Sequence, residues 1–435
     1  MQPRHKLVIA ALVLFAIAGG VAWWLVRSID AKAELERVLS DALGREVTIG
    51  VLDVDPRGHV ALRDVDIANP PGWGDAPLLH AGELDIDVEL STLLDREVVG
   101  VVTVRAVDLR VVKANGTTNL HGMFPKRGGG KPIDLHLDLA IHAAHVELED
   151  RDRGESLALD GVDVRVLASN RDGEQQGDAR LTIASVGLHG VTMRDVSLRV
   201  LGDGERVAIE DLRGTVGKAG TVTGSGSLFL GGDKGWQFEL AAQHIDLASD
   251  VAAVVSTLYP PLASSVESTA ATGFLAGSFT LSGRGLHWAQ IEPTLAGKGR
   301  ITLTDVVLPR ESLLLAIAAL AGREGESLTL TKVELELALA DRWITLERVS
   351  SDAQSVAVPV TGRVSLSGEL DLKVELMPLV QAFGGGAYAG AAKYTTSIPV
   401  RVRGTTKKPE LAPPRAEDLA KGLLGGALRR ALGPE

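Results

Sequence analysis

Histidine and aspartate at alternate positions of one segment are the residues of this chain that could bind a metal ion. His136, Asp138 and His142 fall on one face of a predicted strand, and His145 follows closely. Imidazole nitrogens and carboxylate oxygens are ligands that Zn²⁺ takes in tetrahedral sites. The sequence shows no third strand that would complete such a site, so it favours a solvent-facing surface for these side chains.

A second acidic set could perform acid–base chemistry. Asp85, Asp87 and Glu89 share one face of another predicted strand, and paired carboxylates can act as general acid and base. Acidic residues that alternate with aliphatic ones are, however, typical of the wet side of a sheet. The sequence contains no P-loop, no Gly-x-Ser-x-Gly turn and no His-Glu-x-x-His motif. We therefore predict a protein without catalytic activity and without a cofactor.

The amino-acid composition argues against nucleic-acid binding and against any function that needs cysteine. The chain has 435 residues, a formal charge of -11, 45% hydrophobic residues, 4% aromatic residues and no cysteine. An acidic body repels phosphate backbones, so nucleic acid is not an expected partner. The lack of cysteine excludes disulfides, thiolate metal sites, a cysteine nucleophile and a lipid-modified cysteine anchor. The core is expected to be aliphatic.

The elements that must position these residues begin with an apolar segment at residues 7–26, which carries no charge. Its length suffices to cross a bilayer as a helix. Arg4 and Lys6 precede it, so the positive-inside rule keeps residues 1–6 in the cytoplasm as a short tip and sends the body across the membrane. The sequence therefore predicts a single-pass anchor.

Two features of this segment concern its position in the membrane and whether it is retained or cleaved. Trp23 and Trp24 stand where amphipathic rings favour the headgroup layer, and we predict that they lie at the membrane interface. Residues 16–18 have the small-x-small pattern of a signal-peptide cleavage site. A retained anchor is the favoured interpretation because the apolar run continues past that point, and a cleaved signal peptide is the alternative.

The rest of the chain is predicted to be mainly β with a few helices. Residues 30–43 form a predicted amphipathic helix, and beyond Gly44 the apolar period changes from 3.6 to 2. We count on the order of two dozen strands, and an open sheet rarely exceeds about 10 strands without curling or splitting. The fold prediction is an N-terminal transmembrane helix followed by a long curved antiparallel β-sheet groove; stacked, sealed sheets are the alternative.

Turn-rich and polar segments divide the predicted body into regions. Further helices are predicted at residues 247–258 and 312–321. The regions are 27–125 (a helix and a β region), 133–260 (a middle β region), 273–411 (a C-terminal β region) and 412–435 (a tail with a candidate amphipathic helix).

Several short segments together resemble the AsmA family of bacterial envelope proteins. They follow the anchor as residues 43–49, 62–70, 84–94, 119–120, 297–301 and 398–405. The resemblance implies an inner-membrane anchor, a periplasmic body and a β-groove like that of bridge-type lipid carriers. It also implies movement of phospholipids toward the outer membrane, support of envelope integrity and no catalytic residues.

The first functional hypothesis is a carrier that binds membrane phospholipids along the apolar strand face and helps to move them toward the outer membrane. The second is a periplasmic scaffold or regulator of outer-membrane assembly, with envelope proteins as partners and its apolar faces sealed. A hydrolase would need an inward-facing acid or nucleophile, which the sequence does not supply. The predicted lipid-contacting residues are Ile86, Val88, Leu135, Leu137, Leu335, Leu337, Leu372 and Val374.

Overall fold

The computed structural model describes residues 31–412, except for 56, 93–96, 124–133, 153, 172–173, 189–190, 248–271, 286–287, 310–312, 324–326, 354–355, 385–394, 396 and 407. The predicted anchor with Trp23 and Trp24, the predicted helix at 247–258 and the tail lie outside the described residues. Within them, no helix has the length and apolar character needed to span a membrane. The chain divides into two compact units, Met1–Gly214 and Thr215–Glu435; the predicted boundaries between regions stay predictions.

The first unit begins with helix α1 (Ala31–Leu43), which agrees with the predicted helix. Its buried residues Leu35, Leu39 and Leu43 recur at intervals of four, so they form one apolar stripe. Gly44 ends the helix with φ 65°, and its N–H donates to the carbonyl of Ser40 at 2.8 Å. A left-handed glycine of this kind satisfies a carbonyl that the helix leaves open.

The polar side of α1 covers one edge of the adjoining strand, β1. Glu36 accepts the N–H of Ile49 at 2.8 Å, and the hydroxyl of Ser40 accepts that of Val47 at 2.9 Å. Lys32 donates to the carbonyl of Gly50 at 3.1 Å. These contacts satisfy backbone groups that an edge strand would otherwise leave unpaired.

The sheet of the first unit follows the chain from hairpin to hairpin, with one exception. Strands β4 and β6 pair in parallel, from Glu97 opposite Asp134 to Lys113 opposite Asp150. The prediction of an antiparallel sheet is therefore wrong for this pair, because a connection of more than a dozen residues brings the chain back to the same end. The strands are β1 (Val47–Val54), β2 (His59–Ile67), β3 (Leu79–Val88), β4 (Glu97–Ala114), β5 (Thr117–Thr118), β6 (Asp134–Asp150), β7 (Glu155–Arg171), β8 (Glu174–Leu188), β9 (Val191–Gly202) and β10 (Arg206–Val216), which ends in the second unit.

Among the described residues, the strand pairs of the second unit are antiparallel, and the prediction of a mainly β body is confirmed. Its helices are α2 (Trp288–Ile291), followed by a 3-10 turn (Glu292–Thr294), α3 (Leu313–Leu320), close to the predicted 312–321, and α4 (Met377–Phe383), which was not predicted. Helix α3 contacts β14 and α4 contacts β17. The strands are β11 (Gly220–Phe229), β12 (Gly235–Asp246), β13 (Thr272–Arg284), β14 (Ala296–Pro309), β15 (Ser327–Ala340), β16 (Trp343–Ala353), β17 (Val356–Ala357), β18 (Val360–Ser365), β19 (Leu370–Glu375), β20 (Pro399–Gly404) and β21 (Pro409–Ala412).

Alternation is interrupted once in each long strand of the first unit, at a line that we call the pleat break. Asp64, Ala106, Ala143 and Asp195 adopt left-handed backbone there, with φ of 51–53°. The gaps in pairing adjoin from β2 to β9. Gly82 of β3 faces Ala106. A Cβ on Gly82 would lie 3.1 Å from the Cβ of Ala106, so glycine avoids a close contact there. Apolar residues are spaced by three at this line instead of two, so both halves of a strand keep them on one face.

A buried amide fastens the loop after β5 to the sheet. Asn119 is fully buried, and its side-chain amide donates to Asn69 Oδ1 at 2.9 Å and to the carbonyl of Arg110 at 2.8 Å. Its Oδ1 accepts the N–H of Val112 at 3.0 Å. One side chain therefore joins the loop to β4 and to the turn between β2 and β3.

Replacing Asn119 with alanine should lower the free energy of unfolding by about 1–3 kcal/mol, because buried donors and acceptors are left unpaired. Chemical denaturation followed by circular dichroism measures this change. Leu120→Ala is the matched control, since that side chain is 40% exposed and should alter stability little. Equal midpoints for the two variants would contradict the assigned role of the amide.

Candidate functional site

The two faces of the sheet differ in chemistry in the first unit. We call the face that carries the buried aliphatic side chains the inner face, and the opposite one the outer face. One row of paired residues across β4, β6, β7, β8 and β9 shows the inner face: Val104, Ile141, Val164, Leu181 and Leu198. No group in this row can form a side-chain hydrogen bond, so the row can contact only hydrocarbon favourably.

In the first unit, the predicted lipid-contacting residues lie in the closed part of the inner face. Ile86 and Val88 are 4% and 5% exposed, and Leu135 and Leu137 are 1% and 6% exposed. They belong to one apolar cluster with the buried leucines of α1. Val88 and Leu137 occupy one row, with Gly100 of β4 between them. Their contact with lipid stays a prediction.

In the second unit, the predicted residues are also buried. Leu335 and Leu337 are 0% and 5% exposed, and Leu372 and Val374 are 1% and 0% exposed. The pairing brings Leu337 and Leu372 into one row, with Leu346 and Gly362 between them. These side chains are closed off from solvent, and apolar residues of α3 and α4 are buried in the same unit.

Other parts of the inner face are only half-buried. In the first unit these residues lie on β6 to β9 and include Ile141, Val164, Leu181 and Leu198. None of these half-buried residues was among the lipid-contacting residues predicted from the sequence. The signal that identifies them is the same alternation of apolar and polar residues, with a single spacing of three.

The second unit has a half-buried inner stretch on β11 to β13. It contains Trp236, Phe238, Leu240, Phe279 and Leu281. Aromatic residues form only 4% of the chain, so three rings in one small area are a local concentration. Neither half-buried stretch was assigned a function from the sequence.

The candidate metal ligands lie on the outer face and do not converge. His136 pairs with Glu97 at 3.2 Å, His142 with Asp163 at 3.3 Å and His145 with Asp160 at 2.6 Å. Asp138 is held by Arg165 at 2.9 Å. In the described part of the chain, no group of three or more histidine, aspartate or glutamate side chains could hold a metal ion. These side chains form separate cross-strand pairs.

The predicted acidic set on β3 is also divided among separate partners. Asp85 accepts from Arg105 at 2.8 Å, Asp87 lies 2.8 Å from the ring of His59, and Glu89 accepts from the hydroxyl of Ser91 at 3.1 Å. Such partial neutralisation on an exposed face suits solubility and pairing of strands. The three carboxylates therefore contact three different partners.

A cavity of about 760 Å³ lies in the first unit, where the ends of β7 and β9 meet the beginnings of β4, β6, β8 and β10. Val101 and Leu167, which are 45% and 49% exposed, line it beside Asp138 and Asp178. The hydrogen bonds from Arg199 hold the pKa of Asp178 below its ordinary value. Both aspartates are therefore engaged by arginine, and His136 and Ser169, which are paired across β6 and β7, also line the cavity.

No protein-family model matches this chain, and no curated protein matches its sequence. The resemblance to the AsmA family therefore stays a prediction. The geometry itself defines an apolar inner face that is sealed in some stretches and half-buried in others. In the first unit, the outer face carries cross-strand ion pairs together with exposed aliphatic residues such as Val101 and Leu167.

The contact between His59 and Asp87 should produce a measurable pH dependence. The hydrogen bond to Asp87 raises the pKa of His59 above 6.5. The contact therefore stabilises the fold fully below pH 6.5, and this contribution is lost as the pH rises through the raised pKa. An NMR titration of the His59 ring should show a pKa above 6.5. Asp87→Asn should bring the pKa of His59 down; an unchanged pKa in that variant would rule out this cause.

Proposed function

We propose that this protein binds phospholipids by their acyl chains along the inner face and helps to move them toward the outer membrane of a bacterial envelope. Residues 7–26 would hold it in the inner membrane, with the body in the periplasm. One observation supports the proposal above the others: the half-buried inner row Ile141, Val164, Leu181 and Leu198 carries only aliphatic side chains. Soluble proteins rarely leave contiguous apolar surface open without a partner.

The energetics suit a carrier. Apolar area removed from water contributes roughly 25 cal/mol per Å², so an acyl chain that buries roughly 200 Å² would gain about 5 kcal/mol. No directional bond fixes the chain along the row Ile141, Val164, Leu181 and Leu198. A ligand held in this way can shift along the face because each new position offers the same kind of contact.

The closed and half-buried stretches have different roles in this proposal. The eight residues predicted from the sequence seal their cores, since each is at most 6% exposed. We propose that the half-buried residues beside them make the lipid contacts. In its more specific version, this proposal places the lipid in a long curved groove formed by the sheet.

A scaffold or regulator of outer-membrane assembly is the second candidate. The tightly closed core around Leu335, Leu372 and Val374 favours it, because a sealed apolar face leaves no room for a ligand. In that case the half-buried stretches would be covered by partner proteins of the envelope. The two candidates differ in whether lipid accompanies the purified protein.

Native mass spectrometry of the full chain, extracted in mild detergent, distinguishes the candidates. Co-purified phospholipid on the folded protein is the result expected of a carrier. Consistent absence of lipid, with an intact circular dichroism spectrum, would sink the carrier proposal and favour the scaffold.

A charge on a half-buried inner residue should abolish lipid binding and leave the fold intact. We expect this of Leu198→Glu, because the carboxylate would replace an aliphatic contact in the open part of β9. Ser197→Glu is the matched control: the same charge is added one residue earlier, on the outer face, and lipid should remain. Equal lipid retention in both variants would place the binding surface elsewhere.

A charge in the closed core should instead unfold the protein. Leu335 is 0% exposed, and an unpaired charge in such a place costs several kcal/mol or more. Leu335→Glu should therefore lose its cooperative thermal transition. The neighbouring Glu334→Gln, on the opposite face of β15, should keep it. A folded Leu335→Glu variant would show that this core is open to water.

A further inference from the structure

Three arginines stand side by side on the outer face of β7, β8 and β9. The strand registers pair Arg165 with Arg180, and Arg180 with Arg199. We call these three residues the arginine row. Like charges that lie directly opposite each other destabilise a sheet, so the row requires negative charge from its surroundings.

Two aspartates supply this charge to the first and last arginines of the row. Arg165 donates to both carboxylate oxygens of Asp138, at 3.3 and 2.9 Å. Arg199 donates to both oxygens of Asp178, at 3.0 and 2.6 Å. Paired N–H bonds from a guanidinium to a carboxylate are strong and fix the geometry of both groups. These two arginines are therefore neutralised within the sheet.

The middle arginine lacks such a partner. Within the part of the chain that the structure describes, exposed Arg180 forms neither a hydrogen bond nor an ion pair, and it interacts with Asp178 only at longer range. The strand register shows a difference at this point. Asp138 and Asp178 belong to one row of paired residues, and the position between them is filled by Leu167. Arg180 therefore keeps a positive charge that no carboxylate of the row balances.

Other carboxylates close to the row are already engaged. Asp163 lies 3.3 Å from the ring of His142. Asp203 accepts two backbone N–H groups of its own turn, at 3.1 and 2.7 Å. Glu210 lies 4.0 Å from Arg199. An anion that approaches this surface thus meets an unmatched guanidinium beside carboxylates that already have partners.

The same leucine lines the cavity of about 760 Å³ in the first unit. Val101, Leu167 and Leu201 all belong to its lining, and they alternate with Asp138 and Asp178 along the row of paired residues. Val101 and Leu167 are 45% and 49% exposed. A cavity of this size is within the range of small-molecule sites, which combine apolar walls with a few placed polar groups. The cavity therefore offers aliphatic surface next to the arginine row.

We infer that this cavity binds a small organic anion, in which a carboxylate or phosphate group is attached to a short aliphatic group. The oxyanion contacts Arg180, which follows the lining residue Asp178 by two positions on the same face of β8. The aliphatic group covers Val101 and Leu167. A guanidinium matches an oxyanion through paired donors, and covering exposed aliphatic side chains removes apolar area from water. This site lies on the outer face and is independent of the proposed phospholipid binding on the inner face.

Titration calorimetry of the full chain in amphipol tests the inference, with the heat of amphipol alone subtracted. Hexanoate and hexyl phosphate carry both groups of the inferred ligand. Acetate and inorganic phosphate lack the aliphatic group, and hexylammonium carries the opposite charge. We expect hexanoate or hexyl phosphate to bind at one site per chain, and the other three probes to bind at least roughly tenfold more weakly.

Leu167→Asp is the most informative variant, because it supplies the carboxylate that the row lacks and removes aliphatic surface. It should fold, since Leu167 is exposed, and it should weaken anion binding roughly tenfold because Arg180 gains a partner within the sheet. Arg180→Gln should weaken binding by a similar factor. Val51→Asp is the matched control: this 52% exposed aliphatic residue is also paired with an arginine, Arg63, and the affinity should not change.

Several results would overturn the inference. Equal affinities for acetate and hexanoate would show that the aliphatic wall takes no part, and tighter binding of hexylammonium would show that the carboxylates dominate. Unchanged affinity in both Leu167→Asp and Arg180→Gln, with circular dichroism spectra of a folded protein, would place the anion elsewhere. Absence of heat with both hexyl anions would rule out the site, whereas the test of phospholipid binding by native mass spectrometry would be unaffected.

Discussion

The structure depends on keeping most aliphatic side chains of the long strands on one face of the sheet. Strict alternation alone would achieve this, but these strands contain the pleat break, where the backbone of Asp64, Ala106 and Asp195 is left-handed. If one strand shifted by a residue and its neighbours did not, the rest of that strand would place its aliphatic side chains on the opposite face. Because neighbouring strands break at adjoining positions, each slip is matched by the next, and the apolar surface remains continuous within the unit. Glycine at facing positions such as Gly82 makes room for this arrangement.

The two faces then separate two kinds of interaction. On the outer face, Asp138, Asp178 and the histidines of β6 are each paired with a residue of a neighbouring strand. Exposed ion pairs of this kind contribute little stability individually, but they keep like charges on adjacent strands from standing unopposed. These titratable residues therefore form pairs between neighbouring strands. The inner face differs, because its aliphatic side chains offer apolar contact area and no hydrogen bond or charge that would orient a contacting group.

The sequence predicted the β-rich body, α1 and α3, because periods of two and of about 3.6 residues are local properties. It missed α4, which is only seven residues long, and the parallel pairing of β4 with β6, because pairing partners are set by contacts distant in the chain. For the candidate site, alternation identified inward-facing residues such as Leu135 and Leu372 correctly as apolar positions of strands. It could not say which inward residues are covered, because coverage depends on helices and neighbouring strands. The half-buried residues, Leu181 and Trp236 among them, were missed for that reason.

The contacts between α1 and β1 also limit how copies of this chain can associate. A strand from another molecule that tried to extend the ladder at β1 would have to displace Glu36 and Ser40 from the N–H groups of Ile49 and Val47. A bound carboxylate is a strong acceptor, so the intruding carbonyl would gain little by exchange. At high local concentration, copies of this chain can therefore lie side by side without forming a continuous intermolecular sheet through the edge of β1.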